Sequence, residues 1–116
     1  MKIYVAHSYG RRRGCTKEEK EANVKASIEL GRKLIKKGHI PFIPNLYHYV
    51  HEGWDDSPSE DIWIWLVSAW IENCDALLVG SKRLASPDWL KSGVKREIEI
   101  ARSLHIPIYW RLEDIP

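Results

Sequence analysis

Cysteine is nearly missing. Cys15 and Cys74 are the two in the chain, far apart and outside any C-x-x-C pair, which excludes a disulfide framework and a cysteine-based zinc site. An excess of charge of one sign is missing too. With 18 Lys and Arg against 16 Asp and Glu, the formal net charge is +2, so no overall field draws the chain toward a nucleic acid polymer or an anionic membrane. No apolar run approaches the roughly 20 residues that span a bilayer. Met1 leads straight into the strand-like Ile3-Tyr4-Val5-Ala6 rather than into the apolar core of a signal peptide. The expectation is a cytoplasmic chain with no membrane partner. Internal repeats and low-complexity tracts are absent as well.

What is present is the balance of a folded protein, 44% hydrophobic and 29% charged over 116 residues, enough for one domain spanning 1–116 and too short for two. Apolar runs of strand length recur at Lys2 to Ala6, Ile40 to Ile43, Ala76 to Val79 and Ile106 to Trp110, with helical patterns between them. Because these runs are continuously apolar, they read as strands covered on both faces, as in a parallel sheet. The expected fold class is α/β, a Rossmann-like or flavodoxin-like three-layer sandwich on a small parallel sheet of four to five strands.

The first helix starts on a capping box, Thr16 with Glu19 three residues on. It carries Ala22, Ala26, Leu30 and Leu34 on one face and stops at Gly38. A second helix is predicted from about Glu60 to Asn73, with Ile62, Trp63, Leu66, Ala69 and Trp70, and a third from Ser92 to about Leu104. The stretch between Ile43 and Glu60 has no clear pattern and reads as a lid or binding loop. In open parallel sheets ligands bind outside the carboxyl ends of the strands. That rule brings together His7 to Gly14, Pro44 to Asp56, Gly80 to Ser92 and the tail after Trp110.

The third helix holds the most informative position. Advancing 100° per residue puts Val94, Ile98, Ala101 and Leu104 in one arc with Glu97 inside it, and Lys95, Arg96, Glu99 and Arg102 outside. A carboxylate facing the sheet loses hydration and needs a partner or a purpose. A structural tie to a tyrosine or a loop amide is one reading; a reacting group is the other. Tyr4, central in the first strand, can offer such a Glu its hydroxyl, or be a plain core tyrosine.

The polar loop from His7 through Ser8 to Arg11, Arg12, Arg13 and Gly14 leaves the first strand where α/β folds cradle phosphates, although it is neither a P-loop nor G-x-G-x-x-G. Ser92-Gly93 offers a hydroxyl and free amides at the third helix, with Asp88 and Trp89 as a rim; a simple cap is the plainer reading. His48 and His51 with Asp55 and Asp56 match no zinc signature, so no metal and no cofactor is expected. Trp63, Trp65 and Trp70 read as helix packing or a subunit interface, whereas Trp54 and Trp89 suit stacking on a base. Asn45 falls in a pocket segment and is counted with the ligand-facing residues; lacking a motif, it reads otherwise, like Asn23, as a solvated amide.

Taken in order, Ile3-Tyr4-Val5-Ala6-His7-Ser8-Tyr9, Cys74-Asp75-Ala76-Leu77-Leu78, Ser92-Gly93-Val94-Lys95-Arg96-Glu97-Ile98 and Ile106-Pro107-Ile108 resemble the nucleoside 2-deoxyribosyltransferase superfamily, including its 2'-deoxynucleoside 5'-phosphate N-hydrolases. The resemblance implies that Glu97 is a nucleophile attacking the anomeric carbon of a nucleoside or nucleotide, that Tyr4 orients it, and that Ser8 helps hold a 5'-phosphate. It also implies a homodimer or higher homo-oligomer. Three positions depart from the family pattern: Val67 and Lys91 stand where Asp is usual, and His7 where Gly is common. Asp61, Asp56 and Asp88 are the candidates to replace the first, and the cationic Lys91 suits a phosphorylated ligand. A nucleotide-binding module without turnover, an NAD-type N-glycohydrolase and a scaffold are the alternatives.

Overall fold

The computed structural model of the chain describes residues 1–9, 16–80 and 93–116. Strand β1 (Lys2–Ala6) is followed by helix α1 (Lys17–Lys36), strand β2 (Ile40–Phe42), a 3-10 turn (Pro44–Tyr47) and the short helix α2 (His48–His51). Helix α3 (Glu60–Glu72), strand β3 (Ala76–Val79), helix α4 (Gly93–Ser103), strand β4 (Ile108–Tyr109) and a 3-10 turn (Leu112–Asp114) are the other elements of the described residues. All strand pairs are parallel, in the order β2-β1-β3-β4. This is the α/β fold expected, and its strand order matches the first four strands of a flavodoxin-like doubly wound sheet.

Alternation along the two central strands divides the core into two. Ile3, Val5, Ala76 and Leu78 point to the side covered by α1, where Leu34 and Ile115 close over them. Tyr4, Ala6, Leu77 and Val79 point the other way, under Val67 and Ile71 of α3 and Val94, Ile98 and Ala101 of α4. Each Val, Leu or Ile side chain among them contributes about 1.5–3 kcal/mol by leaving water. Among the described strands β1 and β3 are covered on both faces, whereas β2 and β4 are half-buried, with Ile40 exposed. The expectation of full coverage fails for these two because they lie at the sheet edges.

Helix α1 begins as read, with the Thr16 hydroxyl accepting from the Glu19 amide at 3.1 Å. It ends on Gly38, whose φ of +89° lets the His39 amide reach the Leu34 carbonyl at 3.0 Å and the Gly38 amide reach that of Ile35 at 2.9 Å. Its buried face is Val24, Ser27, Gly31 and Leu34, not the Ala22-Ala26-Leu30-Leu34 line, and Ala22 is exposed. A strict four-residue spacing drifts around a helix of 3.6 residues per turn, so the line read from the sequence leaves the contact after two turns.

Two further expectations change. The stretch after Ile43 is not patternless, since eight of its residues form the 3-10 turn and α2. The tail does not join the carboxyl ends of the strands. Lys37, at the end of α1 that feeds into β2, donates to the carbonyls of Leu112 at 3.3 Å and Ile115 at 2.6 Å, which ties the tail under α1, toward the end of the sheet where the strands begin.

Candidate functional site

Chain order reverses between β1 and β3, so the crevice of this sheet opens where those strands end, at His7 and at Gly80. The Gly80 amide donates to the Ala6 carbonyl at 2.8 Å. A Cβ on Gly80 would run into Leu30 and stand 3.2 Å from the His7 ring, so glycine is what allows α1 and the imidazole to close on this strand end. His7 donates from Nδ1 to the Ser8 carbonyl at 2.8 Å, leaving Nε2 as an acceptor. Burial pushes its pKa below the ordinary imidazole value, against the opposing pull of the Ser8 carbonyl, so the ring favours its neutral form.

The backbone leaving β1 is pegged by amides from two other elements. Asn45 donates both Nδ2 protons, to the Ser8 carbonyl at 3.1 Å and to Ser27 Oγ at 2.8 Å. Ser27 in turn donates to the Asn23 carbonyl at 2.9 Å, and Asn23 Nδ2 donates to the Tyr9 carbonyl at 3.1 Å. Asn45 is 7% exposed. Neither asparagine is a solvated amide, and the Nδ2 of Asn45 has no proton left for a ligand. A polar pair at Asn23 and Ser27, four residues apart on an otherwise apolar helix face, was the sequence signal for this brace.

The third side chain of the loop, Tyr9, reaches two histidines some forty residues further along the chain. Its hydroxyl is hydrogen-bonded to His48 Nδ1 and lies 3.0 Å from His51 Nε2. His48 Nε2 faces Glu52 Oε2 at 3.4 Å, and Lys20 stands over the Tyr9 ring at 5.9 Å. One set of protons satisfies this chain with neutral rings: His48 Nε2–H toward Glu52, Tyr9 O–H to His48 Nδ1, and His51 Nε2–H to the Tyr9 oxygen. Tyr9, Lys17, Lys20, His48, His51 and Glu52 line an open depression of about 320 Å³. Asp55 and Asp56, close to these histidines in sequence, are exposed. The partner that matters is Glu52, one helical turn from His48, together with Glu21 of α1, whose carboxylate lies within 4.8 Å of the other two donor groups.

No family model, curated protein or solved structure matches the chain.

On the other face of the sheet, α4 packs against β1, β3 and β4. Glu97 is half-buried beside the buried Val94, Ile98 and Ala101, and its Oε2 is shielded from solvent. Tyr4 is fully buried, hydroxyl included, in the same cluster as those α4 residues, with its ring 5.6 Å from that of Phe42. Of the arc read from the sequence, Val94, Ile98 and Ala101 are buried and Glu97 is half-buried, whereas Leu104 is exposed and Lys95, placed outside the arc, is half-buried too. Gly93 opens α4; Arg11, Asp88, Trp89, Lys91 and Ser92 lie outside the described residues. Val67 is buried in the core over Tyr4, and Asp61 and Asp56 are exposed. Of the tryptophans, Trp70 stacks on Phe42 at 4.4 Å and donates to the Tyr47 hydroxyl at 3.1 Å. Trp63 packs on Tyr47 and His51, whereas Trp65 is 70% exposed. Among the described residues, no helix is long and apolar enough to cross a membrane.

Proposed function

We propose that this chain cleaves the N-glycosidic bond of a nucleotide or deoxynucleotide, with Glu97 as nucleophile and Tyr4 as the hydroxyl that orients it. The observation that carries the reading is a carboxylate with one oxygen shielded from water, on the helix that packs over the sheet face from which Tyr4 rises. The motif resemblance to the nucleoside 2-deoxyribosyltransferase superfamily supports it. In the first step a Glu97 oxygen bonds to the anomeric carbon as the C–N bond breaks, and the base leaves with the electron pair and takes up a proton. Water or a second base then displaces Glu97 and restores the carboxylate. A low-dielectric setting strengthens the interaction of that carboxylate with an oxocarbenium-like transition state. Ser8, Arg11 and Ser92 are assigned to the phosphate, which suits a small-molecule cytoplasmic substrate. The exposed Trp65 and Ile62 of α3 suit burial in a homo-oligomer.

Incubation of the protein with a panel of nucleoside monophosphates, deoxynucleotides and NAD, followed by chromatography, tests this. Free base with sugar phosphate is expected, and Glu97→Gln should lower turnover at least about a thousandfold. Unchanged substrate across the panel refutes the proposal. A second reading, nucleotide binding without turnover, is favoured by the burial of Val67 where the family carries an acid. It is recognised by saturable binding that survives Glu97→Gln in the absence of any product.

A further inference from the structure

We infer that Glu21, His48 and Glu52 form a binding site for a divalent first-row metal ion, with Zn²⁺ as the type, on the α1 side of the loop that leaves β1. The inference stands apart from the glycosidase reading, since none of its donors belongs to the Glu97 and Tyr4 pair. One imidazole nitrogen and two carboxylates are a borderline N/O donor set, which suits zinc and cobalt better than calcium or magnesium. A tetrahedral ion with bonds of about 2.0–2.1 Å separates its ligands by about 3.3 Å. His48 Nε2 and Glu52 Oε2 are already 3.4 Å apart. The Glu21 carboxylate is within 4.8 Å of both, and as an exposed side chain on a rigid helix it closes the remainder by rotation.

Two independent observations point the same way. A cationic group already sits among the carboxylates, since Lys17 Nζ lies 3.9 Å from Glu21 and 3.7 Å from Glu52. Lys17 is itself exposed, so an incoming ion displaces it to solvent at little cost. The histidine, by contrast, is fixed before any ion arrives: it is 6% exposed and its Nδ1 is bonded to Tyr9. With a metal on Nε2 the proton order in the chain reverses, His48 Nδ1–H donating to the Tyr9 oxygen and Tyr9 O–H donating to His51. Such a hydrogen bond on the far nitrogen sets the ring orientation and raises the basicity of a metal-bound histidine. Three protein ligands leave a fourth position open toward the depression lined by Lys17 and Lys20. That position takes water or an anionic oxygen, as in a zinc site built for exchange rather than structure.

The test is titration of the full chain with Zn²⁺ by calorimetry and with Co²⁺ by visible absorption, folding being checked by circular dichroism. Saturable one-to-one binding in the micromolar range is expected, with the Co²⁺ bands of a four-coordinate site. Glu21→Gln and Glu52→Gln, both at exposed positions, should each weaken it at least about tenfold, and Tyr9→Phe by about 10–100-fold. Lys17→Met should tighten it several-fold. The inference is overturned if neither ion saturates the protein, or if the double variant Glu21→Gln/Glu52→Gln binds as the parent does. The second outcome assigns the binding to other donors, such as the amino terminus beside His39, 3.0 Å from its Nδ1.

Discussion

Replacing Asn45 by alanine measures what the buried amide does for the loop that leaves β1. The substitution removes two donors, one at 3.1 Å from the Ser8 carbonyl and one at 2.8 Å from Ser27 Oγ. Each such bond has a net worth of about 0.5–1.5 kcal/mol. Both acceptors keep one other contact, the Ser8 carbonyl with His7 and the Ser27 hydroxyl with the Asn23 carbonyl, so no group is left wholly unsatisfied. The expected loss is therefore about 1–3 kcal/mol, the sum of two bonds without the larger penalty of an orphaned polar atom. For a chain of this size that corresponds to a fall in Tm of roughly 4–12 °C. Urea unfolding followed by tryptophan fluorescence is the assay, with the exposed Asp55→Ala as control. A double-mutant cycle with Ser27→Ala should return a coupling of about 0.5–1.5 kcal/mol. Asn45→Asp should cost more than alanine, because a carboxylate cannot donate to the Ser8 carbonyl. A loss for Asn45→Ala no greater than that of the control refutes the brace and restores the solvated amide.

Two predictions concern neighbouring elements. Because burial lowers the His7 pKa, the unfolded chain binds its proton first, so the stability due to this residue is complete above about pH 6.5 and declines as pH falls below it. His7→Gln should flatten that part of a urea-midpoint profile, and an unaltered slope in the variant rules out the assignment. Gly31→Ala places a methyl against the Ile43 side chain, so about 1–3 kcal/mol of overpacking opposes the roughly 1 kcal/mol gained in helix propensity. The variant should be destabilised alone but stabilised in an Ile43→Val background, and equal effects in the two backgrounds, measured by chemical denaturation, exclude the clash.

Much of the architecture was readable along the chain because it rests on local signals. A capping box, a glycine stop and continuous apolar runs are set by neighbours a few residues away, and β1, α1, α3 and β3 follow from them to within a residue or two. The place of Glu97 beside Val94, Ile98 and Ala101 was readable for the same reason, since helical phase sets which residues of one helix are neighbours. The brace and the histidine cluster were not. Asn45 and Ser8 are separated by 37 residues, and Tyr9 and His48 by 39, and nothing in either segment names the other as its partner.

By itself, the sequence determined an α/β chain with a parallel sheet, the helix that carries Glu97 and the loop that leaves the first strand, because propensity, capping and periodicity act over a few residues. Only the tertiary structure decided that α1 turns Val24, Ser27 and Gly31 inward, that the tail packs back under α1, and that Tyr9 stands between two histidines. Those outcomes depend on which faces meet when distant segments pack. That is a question of shape and hydrogen-bond complementarity between elements, which no single stretch of chain contains.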